Sequence, residues 1–446
     1  MAKPIATMLI FMGKRPHILL DGHLRQLDWI GLTMSSFFPN GLKRGMIFIQ
    51  YRVKTPQPPL GASEVVNVKE HYRGVSLFAT IEYFLYVSLE IARHEFDLTN
   101  PIHHREALRW MLYARAVTDE LITLFNRVRP ASVITVQGYC VEGAIARLIA
   151  DHYAYQVISL ENTFYSKRLI CEPITGISVN KNSAMTWYYH MQDRNDGLVN
   201  DRFLDDLMFR IGNTKLEEHA SPKLAFQWPT GKKRILFLGQ CYTDSSLLFG
   251  SNGRYSTVEV VQTLFNYASQ RGVFAMFKLH PKENSGDDTL GRLYNQLSLR
   301  RLVAAGLPFG FDNSNGKNDY FAIDSLNTFS TQQLIKDADV IVTINSQGGL
   351  EALAFGKEVV LLGGAFYDRL GTTWNAPHLA VLPAILDSIL QDGMRLWDSR
   401  LVARFLWTYF ESYCVKKDVQ SLIEAIKARR FNGFYATKSD NLLDRL

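Results

Sequence analysis

Cysteine is scarce in this chain. Only four occur among 446 residues, at Cys140, Cys171, Cys241 and Cys414. No two of them have the short spacing of a zinc-binding pair, and their wide separation is typical of free thiols in a reducing compartment. The sequence therefore predicts a cytoplasmic protein with neither a disulfide framework nor a cysteine-bound metal.

Long hydrophobic runs are also missing. The apolar run Ile5 to Met12 is short and is followed by Gly13, Lys14 and Arg15, so it lacks the length and cleavage pattern of a secretion signal. No apolar segment approaches the roughly 20 residues that cross a bilayer. We therefore expect no membrane-spanning helix.

A strong charge of one sign is absent. The formal net charge is +6, and Lys and Arg are scattered along the chain, so nucleic acid is a poor partner, and a small anionic ligand or a membrane surface fits better. Near the C-terminus, Lys427 to Phe431 form a short basic cluster with Phe434 and Tyr435 nearby. This cluster predicts peripheral membrane contact, with a solvated helix end as the alternative.

Acidic residues and histidines with the spacing of metal ligands are lacking too. Asp337-Ala338-Asp339 has the letters of the metal-binding DxD pattern, but it precedes a strand, so we interpret it as a helix end. The clustered histidines and the glutamate near them are not spaced as metal ligands. They are His17, His23, His103, His104 and Glu106. The sequence predicts no metal and no cofactor.

Short apolar runs alternate with longer amphipathic stretches, and this alternation predicts an α/β fold with mostly parallel sheets. The length of 446 residues with 47% hydrophobic composition predicts two domains. The predicted strands are Ile5 to Met12, Met46 to Tyr51, Ser132 to Val136, Val157 to Leu160, Arg234 to Gly239, Val273 to Leu279 and Val340 to Ile344. The predicted helices are Ile81 to His94, Arg105 to Val128 and Thr257 to Gln270.

A polar tract broken by proline and glycine, from Glu217 to Lys233, predicts a domain linker. A new first strand begins just after it, at Arg234. We therefore predict an N-terminal domain over residues 1–222, a second domain over residues 223–395, and C-terminal helices over residues 396–446 that pack back on the first domain.

Polar residues follow each predicted strand of the second domain. Because the carboxyl ends of parallel strands meet at one edge of a sheet, ligands bind there, and we expect these residues to converge on one site. They are Gln240, Asp244, His280, Lys282, Asn345 and Ser346.

The stretch after Val340 to Ile344 has the features of a phosphate site. Ser346 is placed to cap a helix, and Gly348 and Gly349 allow a ligand to approach the backbone closely. The amide groups of a helix start favour an anion, and Glu351 on the first turn is placed to accept hydrogen bonds from a ribose. The alternative is an ordinary strand-turn-helix without a ligand.

Two donor groups and two carboxylates complete the candidate residues. Lys278 and His280 alternate along an extended segment, so we predict that they point the same way and bind a phosphate or carboxylate; a solvent-facing strand end is the alternative. Asp244 is either a catalytic group or a helix cap. Glu161, at the end of a first-domain strand, is a second carboxylate with which Asp244 could divide nucleophilic and acid/base roles.

The segments Lys278 to Lys282 (KLHPK) and Asn345 to Asp368 (NSQGGLEALAFGKEVVLLGGAFYD) resemble the capsule-synthesis glycosyltransferases of bacteria. The resemblance is closest to the retaining beta-Kdo transferases, which use CMP-Kdo to build capsule and O-antigen polysaccharide. It covers the second domain well, and the first domain only through Gln137-Gly138 and Leu160 to Asn162. It implies a GT-B architecture, in which two Rossmann-like domains face each other across a cleft, and a reaction that requires no metal.

The resemblance also implies how a CMP-sugar donor is held. Lys278 and His280 would contact its phosphate or its sugar carboxylate, and Glu351 would contact the nucleoside. The phosphate would be held by Ser346, Gln347 and Gly348, and the predicted donor-binding set is completed by Gln240, Lys282, Asn345 and Gly349.

Two carboxylates take catalytic roles in this resemblance. Asp244 matches the position of the carboxylate that attacks the anomeric carbon and forms a covalent sugar adduct, and Glu161 would be the acid/base group. The implied acceptor is an oligosaccharide or lipid-linked glycan at the cytoplasmic side of the bacterial inner membrane. The segment Asp287 to Ser330 matches no family motif, so the donor sugar stays open. The alternatives are an inverting CMP-sialic acid transferase, a non-catalytic sugar-nucleotide-binding subunit and a sugar-nucleotide epimerase.

Overall fold

The computed structural model describes residues 7–12, 15–20, 66–128, 132–136, 138–153, 155–173, 176, 181–195, 199, 202–218, 224–250, 255–285, 296–307, 319–418, 420–422 and 424–425. The predicted strand Met46 to Tyr51, the residues Gly13 and Gln137, and the basic cluster Lys427 to Phe431 lie outside the described residues.

The chain divides into two compact units. The first is built from three stretches of sequence and the second from two. The first unit comprises Met1–Leu89, Phe96–Ile177 and Cys414–Leu446, and the second comprises Glu90–Glu95 and Ser178–Tyr413. Each unit contains a six-stranded sheet with helices, so the predicted α/β class is confirmed.

The first unit is built on a mixed sheet. Its elements are β1 (Thr7–Met12), β2 (Arg15–Leu20), β3 (His71–Tyr72), β4 (Val75–Ser76), α1 (Leu77–Leu89), α2 (Pro101–Val128), β5 (Ser132–Val136), α3 (Val141–His152), β6 (Gln156–Asn162), β7 (Arg168–Pro173) and, from the C-terminal stretch, β14 (Val415–Lys416). The sheet order is β14–β7–β6–β5–β1–β2, and β3 pairs with β4 in a separate two-stranded sheet. Strands β1, β5 and β6 are parallel, whereas β2, β7 and β14 are antiparallel to their neighbours.

Helix α2 begins one turn earlier than the sequence predicted. Ile102 N donates to Asn100 Oδ1 at 2.9 Å, and Pro101 occupies the first helical position, where its missing amide hydrogen costs no hydrogen bond. This cap and proline explain why the helix starts before Arg105.

The second unit is built on a parallel sheet. Its elements are α4 (Asn182–Asn195), α5 (Phe203–Glu218), β8 (Arg234–Leu238), α6 (Thr257–Arg271), β9 (Phe274–Lys278), α7 (Lys282–Ser285), α8 (Leu297–Ala304), β10 (Phe321–Asp324), α9 (Thr331–Asp337), β11 (Val340–Thr343), α10 (Gln347–Ala354), β12 (Glu358–Leu361), β13 (Trp374–Asn375), α11 (Leu382–Leu390) and α12 (Ser399–Trp407). The short helical turn Arg93–Glu95 also belongs to this unit. The sheet order is β10–β9–β8–β11–β12–β13, and every pair is parallel.

This strand order is the one that dinucleotide-binding domains share, with two halves diverging from the central pair β8 and β11. Every residue of β9, β11 and β12 is buried, as expected for strands covered by helices on both faces. Helix α6 on one face starts with a capping box of Ser256 and Glu259 and ends at Gly272, whose φ of 67° suits glycine.

The unit boundary differs from the predicted one at residue 222. Leu224, within the predicted linker, bonds to the second unit through Leu224 N to Thr328 O at 3.1 Å and Ser330 N to Leu224 O at 3.0 Å. Helix α4 packs on the C-terminal helices, because Trp187 Nε1 donates to Ser412 Oγ at 2.9 Å. The boundary between the units therefore lies between residues 177 and 178, and the described part of the predicted linker, residues 224–233, belongs to the second unit.

The predicted C-terminal segment, residues 396–446, is divided between the units. Helix α12 belongs to the second unit, whereas the strand β14 joins the first sheet at β7. In the described part of the chain, no helix is both long and apolar enough to cross a membrane.

Candidate functional site at the parallel sheet edge

The second sheet reverses its strand order between β8 and β11, and ligands bind beyond the carboxyl ends of strands at such a point. Gln240 follows β8, Asn345 follows β11, and their side chains join the two loops. Gln240 Nε2 donates to Asn345 Oδ1 at 2.9 Å, and Asn345 N donates to Gln240 Oε1 at 3.3 Å. The predicted convergence of these two strand ends is confirmed.

Ser246 extends this network to Asp244. Asn345 Nδ2 donates to Ser246 O at 2.7 Å, and Ser246 N and Oγ donate to Asp244 Oδ1 at 2.8 and 2.7 Å. Leu247 N and Leu248 N donate to the main-chain oxygen of Asp244 at 2.9 and 3.0 Å. Asp244 therefore caps the helical turn Ser246–Gly250 through Oδ1, which was one of the two roles that the sequence left open for it.

His280, beyond the end of β9, lies against the same loop. Its Nδ1 accepts a hydrogen bond from Lys282 N at 3.2 Å and lies 3.4 Å from Cys241 Sγ. Burial lowers the pKa of His280, the Asp244 carboxylate partly opposes this by raising it, and Lys282 lowers it further. The ring is therefore mainly neutral at pH 7. Because a backbone amide can only donate, Nδ1 is the acceptor and the neutral ring carries its proton on Nε2.

Lys278, by contrast, is engaged inside the protein. Its Nζ donates to Asp324 Oδ2 at 2.6 Å, to Asn327 Oδ1 at 3.0 Å and to Phe329 O at 3.0 Å. The side chain is 4% exposed and that of Asp324 is fully buried. These three acceptors match the three protons of the ammonium, so the geometry favours a structural role, and donor binding by Lys278 stays a prediction.

The predicted helix start at Ser346 is confirmed. Ser346 Oγ accepts a hydrogen bond from Gly348 N at 3.1 Å, and its main-chain oxygen accepts one from Tyr367 Oη at 2.5 Å. Gln347 is the first residue of α10 and is half-buried.

Packing excludes a side chain at Gly349 and leaves little room for one at Gly348. A Cβ at Gly349 would collide with Tyr367 Oη and lie 3.0 Å from Thr343 Cγ2, and one at Gly348 would lie 3.1 Å from Leu238 Cδ1. The contacts with Thr343 and Leu238 bring α10 close to strands β11 and β8. Close helix–sheet packing can therefore account for the glycines without a ligand. Ligand contact at Gly348 and Gly349 stays a prediction.

Glu351 and Lys282 occupy different environments. Glu351 is only 3% exposed, and its Oε1 accepts a hydrogen bond from Gln332 Nε2 at 3.4 Å. Lys282 is exposed and begins the short helix α7, so its ammonium is available at the edge that His280 also borders. The nucleoside role of Glu351 and the phosphate role of Lys282 stay predictions.

Glu283 supports the site and was missed in the sequence. It is fully buried, and its Oε1 accepts hydrogen bonds from Tyr242 N at 3.0 Å and Ser298 Oγ at 2.8 Å. Burial raises the pKa of this carboxyl group. Glu283 thus fixes the loop that carries Asp244 against α7 and α8. Its position directly behind KLHPK was the available signal, but a charged residue there also suits an exposed helix start.

Glu161 lies in the first unit and has its own surroundings. It pairs with Ile170 across β6 and β7 and is buried. Gly176 packs so tightly there that a Cβ would collide with Glu161 Oε1 and lie 3.4 Å from Tyr139 Oη. Strand β6 continues to Asn162, so Glu161 is inside the ladder instead of just beyond it, and its acid/base role stays a prediction.

The metal patterns discounted in the sequence can be placed. Asp337 ends α9, and Asp339 precedes β11, as the interpretation of a helix end requires. His104 Nε2 accepts from Val66 N at 3.3 Å, and His103 Nδ1 accepts from Asp97 N at 3.1 Å. Among the described residues, no group of three or more His, Cys, Asp or Glu side chains could hold a metal ion.

Residues 201–382 match the sequence family described as capsule polysaccharide biosynthesis protein. This segment contains the whole parallel sheet, β8 to β13, and the residues described above that follow its strands. Protein FixF of Sinorhizobium fredii (strain NBRC 101917 / NGR234) is 32% identical over 106 residues, which are 23% of this chain and 25% of that protein. The match thus spans about a quarter of the length of that curated relative.

Similar solved structures include two of Thermosulfurimonas dismutans KpsC. The beta Kdo 2,4 transferase is 17% identical with a TM-score of 0.40, and the match covers 67% of this chain and 87% of that chain. The beta Kdo 2,7 transferase is 18% identical with a TM-score of 0.38, covering 70% and 88%. The UDP-GlcNAc 2-epimerase of Methanocaldococcus jannaschii is 11% identical with a TM-score of 0.30, covering 67% and 80%. Likeness at this level decides nothing about activity. The family match agrees with the predicted resemblance to capsule-synthesis proteins over residues 201–382.

Proposed function

We propose that the protein is a retaining glycosyltransferase that moves Kdo, or a related keto-sugar acid, from its CMP donor to a bacterial surface glycan. The observation that carries this proposal is the chain of hydrogen bonds from Asn345 and Gln240 through Ser246 to Asp244. It holds a carboxylate at the strand-order reversal of the parallel sheet, next to a helix start. The capsule-biosynthesis family match over the same residues supports it.

The proposed reaction begins with attack by Asp244. Within the described part of the chain, the hydrogen bonds to this carboxylate reach Oδ1, so Oδ2 is the oxygen that we expect to attack. A bond forms between Oδ2 and the anomeric carbon as the bond from that carbon to the phosphate oxygen breaks, and CMP leaves with the electron pair. An acceptor hydroxyl then displaces Asp244, with Glu161 proposed as the base that takes its proton. Two inversions give net retention.

The leaving phosphate is stabilised by donors fixed in advance. His280 presents an Nε2–H group because Lys282 N occupies Nδ1, and Lys282 adds an exposed ammonium. The start of α10 at Ser346 contributes amide groups and the positive end of the helix dipole. Donors of this kind favour the charge that develops on CMP and offset the repulsion between an attacking carboxylate and an anionic donor.

Transfer with the purified protein tests this function. CMP-Kdo is incubated with a Kdo-terminated oligosaccharide, and the product is analysed by mass spectrometry and by NMR of the new anomeric centre. We expect a glycosidic product with the donor's anomeric configuration, and a loss of about 10⁴-fold in kcat for Asp244→Ala.

A matched control is Asp339→Asn, because Asp339 accepts a hydrogen bond from Arg234 N at 2.7 Å at the amino end of the same sheet. This variant should keep full activity. Release of CMP without any glycoside, or a free epimerised sugar, would contradict the proposal.

An inverting CMP-sialic acid transferase is a second candidate. The observation that favours it is the cap made by Asp244 Oδ1, since a capping aspartate needs no nucleophilic role. An inverted anomeric centre in the product, with CMP-N-acetylneuraminic acid as the better donor, would select this candidate.

The acceptor and the membrane contact are further parts of the proposal. A lipid-linked glycan is the proposed acceptor, and contact through Lys427 to Phe431, outside the described residues, would bring the protein to the cytoplasmic face of the inner membrane. Sedimentation with anionic vesicles, compared with a protein truncated after residue 425, tests this part.

A further inference from the structure

The loop that carries Asp244 begins with a tight turn. Asp244 N donates to Cys241 O at 2.9 Å, which closes a four-residue turn from Cys241 to Asp244. Tyr242, the second residue of this turn, is 3% exposed. Its amide donates to Glu283 Oε1 at 3.0 Å, so the main chain of the turn is attached to α7. The side chain of Tyr242 provides a second attachment.

That side chain bonds to the segment Glu90–Glu95, which follows α1 in the sequence and belongs to the second unit. Tyr242 Oη donates to both carboxylate oxygens of Glu95 at 3.3 Å. Ala92 of the same segment forms a small buried hydrophobic cluster with Tyr242 and Leu297. A segment distant in the sequence thus supplies a polar partner for the turn and part of the apolar cluster around it.

Tyr242 is a hydrogen-bond donor at pH 7. Burial and the Glu95 carboxylate raise its pKa to about 12, although Arg301 opposes them. The phenol group therefore keeps its proton and donates it to Glu95. Arg301 Cζ lies 5.4 Å from the centroid of the Tyr242 ring, and Arg301 Nη1 lies 3.9 Å from Glu95 Oε1. The guanidinium thus contacts both members of the pair and favours one orientation of the ring.

This segment is itself fixed to α8. Arg300 Nη1 donates to Glu90 Oε2 at 3.2 Å, and Arg301 Nε donates to Glu90 O at 3.1 Å. Glu90 has a φ of 57°, in the left-handed region that favours glycine, and these hydrogen bonds offset the cost of that conformation. Ala92 N donates to Glu95 Oε2 at 2.6 Å within the segment. Glu95 is therefore held on a fixed main chain.

We propose that Glu95 is a positioning residue for the reaction and that it acts through Tyr242, by holding the turn that carries Asp244. This inference rests on the proposed function and deepens it. The donor phosphate is assigned to His280, Lys282 and the start of α10, so loss of Glu95 should slow the attack by Asp244 without weakening the binding of CMP. A displacement of about 1 Å in a reacting group can cost about 10²-fold in rate.

Transfer kinetics and CMP binding, measured on the same variants, test this inference. We expect Tyr242→Phe and Glu95→Ala each to lower kcat about fivefold to tenfold and to change the dissociation constant of CMP by less than about twofold. The double variant should be no slower than the slower single variant, because both changes remove the same interaction. Glu95→Gln keeps an acceptor for the Tyr242 hydroxyl group and should recover most of the rate.

Two matched controls separate positioning from stability. Tyr267→Phe removes another hydrogen bond between a buried tyrosine and a carboxylate, from Tyr267 Oη to Asp387 Oδ1 at 2.9 Å. It should lower the free energy of unfolding in urea at least as much as Tyr242→Phe and leave kcat within about twofold of the native value. Glu90→Gln weakens the ion pair with Arg300 at the other end of the segment and should also leave kcat unchanged.

Unchanged kcat in Tyr242→Phe and Glu95→Ala, in a protein that Asp244→Ala inactivates, would overturn the inference alone. Losses that multiply in the double variant, an equal loss of kcat in Tyr267→Phe, or an equal loss of CMP affinity would do the same. A native protein that transfers no sugar, or an Asp244→Ala protein with native activity, would instead refute the proposed function.

Discussion

The carboxyl edges of the two sheets differ in how their strands continue. In the second unit, β8 and β11 end and pass into loops whose side chains bond to one another, as Gln240 and Asn345 do. In the first unit, β6 runs on through Glu161 and returns as the antiparallel β7, so this carboxylate is inside the ladder. An all-parallel sheet gathers polar loop residues at one edge, whereas a mixed sheet can place a polar residue between paired strands.

Glu161→Gln tests whether a carboxylate that lies inside a ladder can nevertheless act in catalysis. If Glu161 is the acid/base group despite its position in a ladder, the variant should lower kcat about 10²–10⁴-fold, because an amide cannot take a proton. The measurement is the transfer rate under saturating donor and acceptor.

Glu172→Gln in the adjacent β7 is the control, since Glu172 is also buried and pairs with Ser159. It should leave kcat within about threefold of the native value if the effect belongs to catalysis and not to a lost buried charge. Equal losses in both variants would contradict an acid/base role for Glu161.

Lys278→Met tests whether Lys278, at the edge of the parallel sheet, stabilises the fold or binds the donor. The change leaves the buried Asp324 without its cation, so we expect the free energy of unfolding to fall by about 3–5 kcal/mol. Urea denaturation measures the loss, and the double variant Lys278→Met with Asp324→Asn should recover part of it. A stable Lys278→Met protein that fails to bind CMP would show that Lys278 is a donor ligand instead.

His280→Ala should lower kcat by about 10²-fold, because it removes a fixed donor to the leaving phosphate. His280→Gln places an amide N–H near the position of Nε2 and should restore part of the rate, whereas His280→Asn should not. Equal rates for the Gln and Asn variants would contradict the assignment of the proton to Nε2.

The pH dependence of stability tests whether His280 is neutral in the folded protein. Its pKa is lowered in the folded protein, mainly by burial, so the unfolded chain binds the proton more readily. The stabilising contribution is therefore present above the ordinary histidine pKa of about 6.5 and is lost as the pH falls through the lowered value. Urea titrations should show a larger loss of stability between pH 8 and pH 5 for the native protein than for His280→Gln. An identical pH dependence would exclude this contribution.

Ser346→Ala gives the smallest expected effect. Loss of the cap on Gly348 N should cost about 1 kcal/mol of stability and weaken CMP binding several-fold, about the same free energy. Ser256→Ala, at the cap of α6, should cost similar stability without a change in CMP affinity. Equal effects of Ser346→Ala and Ser256→Ala on CMP binding would show that α10 is not part of the donor site.

The sequence was informative wherever the chemistry depended on local pattern. The strand runs before Gln240, His280 and Asn345 predicted their convergence, because parallel strands end at a common edge. Ser346 as a cap also followed from its position between a β-branched run and two glycines.

Long-range partners could not be predicted from the same pattern. Asp324, the partner of Lys278, lies 46 residues away in a segment without a motif, so the alternation of Lys278 and His280 suggested a shared ligand. Gly349 is explained by its packing against Tyr367, which no local pattern records. The linker-like tract was misleading for the same reason, since Leu224 pairs with residues about a hundred positions later.

Intact-mass spectrometry of the protein incubated with CMP-Kdo and no acceptor tests the central role of Asp244 most directly. We predict an increment of one sugar residue, mapped by peptide analysis to Asp244 and absent in Asp244→Ala. Turnover of donor and acceptor by a native protein that never carries this increment, or its mapping to another side chain, would contradict the account.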